Sequence, residues 1–144
     1  MSYATIDDLK KKLKRFYDDL YSDDDTDVLD EDLMQSDLDA ASAEIDGSVA
    51  ARYVIPVTAA EALPLLKRWN LDLACELAFF RAGGSELPEK VTATAKIART
   101  QLERISKGEF RLPADPAEKT TGPGNVALIS GPESVFTRTD LEAW

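Results

Sequence analysis

The sequence predicts a mainly α protein: a compact bundle of about four helices with an extended C-terminal arm containing short β segments. Three observations predict it. Apolar residues recur at steps of three and four through successive segments, the period of one buried helical face. Prolines, glycines and capping residues punctuate those segments. Past Gly108 the period stops and a chain rich in proline and glycine follows. The expected division is a helical body over 1–112, a linker over 113–124 and a docking arm over 125–144.

Thr5 has the chemistry of an N-cap, and Asp7 and Asp8 fall in the first turn, where the helix dipole favours negative charge. Ile6, Leu9, Leu13, Phe16 and Leu20 then form one stripe, predicting a first helix over about 6–20. Lys10, Lys11, Lys12, Lys14 and Arg15 cover its other faces. Residues 18–32 hold nine carboxylates and no cation, so like-charge repulsion and Asp-rich turn chemistry predict a loop over 22–27.

A second helix, about 29–54, presents Met34, Leu38, Ala41, Ile45, Val49 and Tyr53, and Pro56 is expected to end it. Gly47 inside it costs up to about 1 kcal/mol relative to Ala and is expected to admit a close neighbour. The third helix, about 61–82, takes Pro64 near its start, where proline is tolerated. It is apolar on nearly every side, through Leu66, Trp69, Leu73, Ala74, Leu77 and Phe80 among others, which predicts the central position. Gly83 and Gly84 stop it. Pro88 opens a fourth helix, about 88–107, with Val91, Ala95, Ala98, Leu102 and Ile105 on one face and Gly108 just past its end.

Residues 110–113 look extended, and Pro113, Pro116, Gly122, Pro123 and Gly124 mark the linker. Residues 125–130 and 135–137 are short β-like runs around a Gly131-Pro132 turn. Thr139 and Glu142 have capping-box spacing, which would start a helical turn presenting Leu141 and Trp144. Apolar residues beyond such a linker need a surface to bury against. Docking on a partner is preferred to folding back on the same body. The expected contact residues are Leu128, Ile129, Val135, Phe136, Arg138, Leu141 and Trp144.

A chain of 144 residues buries a core without disulfides or metals, and 44% hydrophobic with 31% charged residues fits a soluble globular class. No apolar run reaches the roughly 18 residues of a membrane span. The N-terminal residues show no basic patch and no apolar run, so a cytoplasm-like compartment is expected until assembly. Cys75 has no internal disulfide partner and is expected as a small core residue. The absence of histidine removes the commonest general base and the commonest metal ligand. A net charge of −10 opposes tight wrapping of nucleic acid.

A calcium loop starting at Asp23 would need Gly at 28 and Glu at 34; Val28 and Met34 stand there instead. The cations at 10–15 read as a solvated face, since no aromatic residues interleave with them as single-strand binders require. Asp72 and Glu76 lie one turn apart, a spacing open to acid–base work, but Arg68 four residues before Asp72 favours an ordinary ion pair. Phosphate loops, nucleophile elbows and metal-ligand spacings are not found. The expectation is a non-enzymatic protein with no cofactor and no metal.

The run Ala41-Ser42-Ala43-Glu44-Ile45-Asp46-Gly47, followed by Arg52-Tyr53 and Pro56, resembles the Mu-like phage neck (head-completion, or head-tail connector adaptor) family. Glu44, Asp46, Gly47, Arg52, Tyr53 and Pro56 carry most of the likeness. Leu66-Lys67-Arg68 with Asp72, Ala74 and Leu77 resembles the family's next helix. The opening Tyr3-Ala4-Thr5 with Asp8-Leu9, and the ending Phe136-Thr137-Arg138 with Leu141 and a closing aromatic, resemble its ends. The Asp-rich loop departs from the pattern. The resemblance implies a structural subunit of the virion neck, assembled in the host bacterial cytoplasm and joined to the portal after DNA packaging. It implies a homo-oligomeric ring, commonly twelvefold, between the portal protein and a tail-side neck or tail terminator protein. DNA would pass through the lumen without specific binding, with no membrane involved. It implies no catalytic residues. The alternative is a non-virion adaptor or regulatory module that binds a protein partner through its C-terminal segment.

Overall fold

The computed structural model describes residues 2–23, 25–82, 87–113 and 117, and among these the chain forms five helices. They are α1 (Ile6–Leu13), α2 (Phe16–Tyr21), α3 (Glu31–Val49), α4 (Leu63–Arg81) and α5 (Glu89–Ser106). An isolated antiparallel bridge joins Ser22 and Leu29. The chain is thus a mainly α bundle.

The single first helix expected over 6–20 is instead two. Lys14 takes a left-handed backbone (φ 54°) and closes α1, its amide donating to the Lys10 carbonyl. Such a backbone is unfavourable for a residue with a Cβ, and the stripe through Leu13 and Phe16 gives no hint of it. The break changes which side chains enter the core. Leu9 and Leu13 are buried as the stripe requires, but Phe16 is 44% exposed and Tyr21 takes the buried place in α2. The Tyr21 ring reaches the core because its hydroxyl meets a buried carboxylate there.

The start of α1 follows its sequence. Thr5 accepts from the Asp8 amide and Asp8 accepts from the Thr5 amide, a reciprocal capping box. Asp30 caps α3 by accepting from the Leu33 amide at 2.9 Å. That helix is shorter than the 29–54 expected: it ends at Val49, and Pro56 does not terminate it. Tyr53 leaves the helix yet stays buried, carried inward by a turn over 50–53 whose Tyr53 amide donates to the Val49 carbonyl. The Ile55-Pro56 peptide bond is cis.

The central position expected for the third predicted helix is occupied by α4, which packs against all four others. Leu66, Leu73, Ala74 and Ala78 are fully buried on it, while Phe80 faces solvent. Side-chain pairs fix the directions. Asp8 meets Lys67 and Lys12 meets Asp72, so α1 runs parallel to α4. Asp37 meets Arg81 and Glu44 shares Arg99 with Glu76, so α3 runs antiparallel to it. Trp69 packs on Phe110 with ring centroids 6.4 Å apart, which places the end of α5 beside the start of α4.

Two glycines have opposite fates. Gly108 has φ 78° and ends α5 as a left-handed residue. A Cβ there would strike the Arg52 guanidinium, which lies over it and donates to the Lys107 carbonyl at 3.2 Å. Gly47 was expected to admit a close neighbour, but a Cβ there would meet nothing within 4 Å. It lies on the face of α3 turned away from its neighbours, so packing does not require it.

Candidate functional site

The block that carries the family resemblance is used largely inside the body. Glu44 accepts from Arg99 at 2.7 Å, and Arg99 also reaches Glu76 at 2.6 Å, so one guanidinium ties α3, α4 and α5 together. These hydrogen-bonded carboxylates, Glu44 first, raise the Arg99 pKa further. Asp46 accepts the Tyr3 hydroxyl, which in turn accepts the Val57 amide at 3.2 Å. Arg52 bonds the end of α5, and the Tyr53 hydroxyl accepts the Leu112 amide at 3.3 Å. Glu44, Asp46, Arg52 and Tyr53 thus fasten the N-terminus, the loop after α3 and the chain beyond α5. Pro56 lies in that loop, beside exposed Val54 and Ile55.

The opening residues are held by Asn70, which the sequence pattern did not single out, and by Ser42 of the 41–47 run. Asn70, fully buried on α4, accepts the Ala4 amide at 3.0 Å and donates to the Leu38 carbonyl at 2.9 Å. Ser42 accepts the Tyr3 amide at 3.1 Å. A lone amide in the apolar run around Trp69 was the available signal, since a buried polar side chain needs partners. Burial, then the hydrogen bond to Asp46, pushes the Tyr3 hydroxyl up to about 12. At the start of α1 the Lys67 ammonium, then Thr5, holds the Asp8 carboxyl down to about 2 despite some burial.

Asp72 does not pair with Arg68 as expected. It is buried, and its partner is Lys12 of α1. Glu76, one turn on, points to Arg99. The two carboxylates are therefore engaged by different cations on different helices. A second buried group joins α2, α3 and α4: Asp37 accepts the Tyr21 hydroxyl at 2.6 Å and Arg81 at 2.7 Å, with Arg81 5.1 Å from the centre of the Tyr21 ring. Among the basic residues of the first helical segment, Lys10 meets Glu31 at 2.8 Å, so part of that face is balanced by the acidic start of α3. No group of three or more His, Cys, Asp or Glu residues placed to hold a metal occurs among the described residues. No helix among them is long and apolar enough to cross a membrane.

Cys75 is buried as expected, and burial pushes its thiol up to about 12 from 9.0. A raised folded-state pKa keeps its stabilising effect below the unfolded value and loses it as pH rises through the folded one. The Tyr3 shift acts in the same direction. Thermal melts between about pH 8 and pH 12 should therefore show stability falling above pH 9. Cys75→Ala should flatten the part of that decline which begins nearest pH 9.0; an identical decline would assign it to other groups.

Among the concavities of the described surface, two have extensive apolar walls, beside a smaller one lined by Leu65, Trp69, Ile97 and Phe110. One lies between Tyr3, Pro56, Val57 and Leu63, beside exposed Val54 and Ile55. The other lies between the end of α1, the end of α4 and the start of α5, lined by Leu13, Phe16, Cys75, Phe79 and Val91. The expected arm residues Leu128, Ile129, Val135, Phe136, Arg138, Leu141 and Trp144 lie outside the described residues. Where the linker begins, Ala117 accepts the Val54 amide at 3.0 Å, so the chain past α5 still touches the loop that follows α3.

The sequence that builds this helical body is matched in one class of phage protein. Residues 3–130 match the model of the family described as bacteriophage Mu, Gp36, and the chain belongs to that family. Gene product J of Escherichia phage Mu is 34% identical over 111 residues, covering 76% of this chain and 74% of that protein.

Proposed function

We propose that this phage protein is a structural subunit of the virion neck. Copies form an adaptor ring between the portal protein and a tail-side neck or tail terminator protein, helping to retain DNA and let it pass. The observation that carries this is the family match over 3–130, joined to the resemblance of the 44–56 block to Mu-like neck adaptors. Two physical features support it. A net charge of −10 suits a ring around a moving duplex, because like charges repel it and prevent sticking. The body uses its signature residues to fix the place where the C-terminal chain departs, which suits a rigid support for a docking arm.

The division of labour is a helical body and a C-terminal arm that docks on the portal or on an adjacent subunit. Deleting residues 125–144 should leave a helical, cooperatively melting body that no longer enters portal-containing particles. Normal incorporation of the shortened chain would remove the arm from the account. Infected cells lacking the protein should yield full heads that leak DNA or carry no tail. Normal virions from such cells would favour the non-virion adaptor instead.

A further inference from the structure

We propose that the groove between the end of α1, the end of α4 and the start of α5 receives the C-terminal segment 135–144 of a second copy of this chain. The inference deepens the ring reading above by naming the surface the arm meets.

The groove has a volume of about 430 Å³ and an apolar floor. Phe16 and Phe79 meet there edge to face with centroids 6.0 Å apart, and Phe16 is left 44% exposed at the mouth. An aromatic ring in water beside an apolar depression is a surface whose burial on a partner is favourable. The rim is basic, with Lys12, Lys14 and Lys90. Lys12 already holds Asp72, but among the described residues neither Lys14 nor Lys90 meets a carboxylate. A cationic mouth around an apolar floor is unusual on a chain of net charge −10.

The segment 135–144 has the complementary chemistry. Val135, Phe136, Leu141 and Trp144 supply apolar anchors, and Asp140 and Glu142 supply carboxylates against the single cation Arg138. The hollow lined by Trp69, Ile97 and Phe110 is smaller, about 230 Å³, and carries the Asp72 carboxylate on its wall; the concavity beside Pro56 also fits less well. The only cation on its wall, Lys67, is already paired with Asp8 at 2.8 Å.

The placement of the tail and the groove is that of a head-to-tail pair. The tail leaves beside Tyr53 and Val54, at the end of α5. The groove opens beside Pro88 and Val91, at the start of α5. Those poles are separated by an 18-residue helix, about 27 Å long. Residues 118–144 can span up to about 90 Å when extended, so a neighbour's groove is within reach. A donor at one pole and an acceptor at the other make a heterologous contact, which runs head to tail and closes into a ring when the rotation allows. Docking within one chain would fill the groove and leave a monomer, the outcome that sedimentation separates from association.

The test uses two full-length variants: Lys14→Glu with Lys90→Glu in the groove, and Phe136→Ser with Trp144→Ser in the arm. Unchanged circular dichroism melts would show that both fold. In sedimentation up to on the order of 1 mM, the native chain should associate with rising concentration, and each variant should do so at least about tenfold more weakly. Mixed in equal amounts, the two should form one-to-one heterodimers and nothing larger, because only one intact groove and one intact arm then meet. A native chain that stays monomeric, a groove variant that associates like the native chain, or a mixture that does not associate would each overturn the proposal. The neck reading fails separately: normal virions without the protein would overturn it even if the mixture formed heterodimers.

Discussion

Arg81→Met should lower the stability of the fold by about 3 kcal/mol, the low end for removing one partner of a buried ion pair. The reason is Asp37. It is buried on α3 and accepts from Tyr21 at 2.6 Å and from Arg81 at 2.7 Å. Removing the guanidinium leaves a carboxylate out of water with one neutral donor. The low end applies because the Arg81 side chain is itself 34% exposed, so water can partly replace it. Urea unfolding of the two proteins measures the difference. Adding Asp37→Asn to Arg81→Met should restore part of the loss, since an amide has no charge to strand. A single-variant loss within about 0.5 kcal/mol of zero, the range of ordinary surface changes, would show that the guanidinium contributes nothing to holding Asp37.

Asn70→Ala should cost a similar amount, about 3 kcal/mol, from two lost hydrogen bonds and a buried amide left unpaired. Its effect should also be local in a particular way. Asn70 is the link between the Ala4 amide and the Leu38 carbonyl, so its loss frees the segment that leads into α1. Hydrogen exchange at Ala4 should rise well beyond what the global loss accounts for, while the amides of α5 follow global unfolding. Equal changes at both places would mean that Asn70 contributes to the core but does not tether the N-terminus.

The predicted third and fourth helices were legible because their stripes and boundary residues agree. Pro64 falls in the first turn of α4, and Gly108 ends α5 with a positive φ. The division at Lys14 was not legible, because Leu13 to Phe16 continues the helical spacing across a backbone that turns left-handed. Tyr53 prolonged the stripe of α3 on paper, although it enters the core from a turn. Polar partners were the least legible. An i, i+4 rule assigns Arg68 to Asp72, whereas the fold brings in Lys12 from 60 positions away. The same is true of Tyr21, Asp37 and Arg81, whose meeting depends on how α2 and α4 flank α3. Within the resembling block the sequence did not reveal which contacts its residues make. Glu44, Asp46, Arg52 and Tyr53 fasten the body together.

That fastening gives the proposed adaptor its form, with a tied helical body and a tail departing beside Tyr53. The most direct test is an image reconstruction of the portal vertex of the intact phage particle, compared with particles lacking this protein. The account predicts a ring of helical bodies of this shape between the portal and the tail-side proteins, absent when the protein is absent. A mature particle with an unchanged vertex in both cases, or with the protein found elsewhere in the virion, would contradict it.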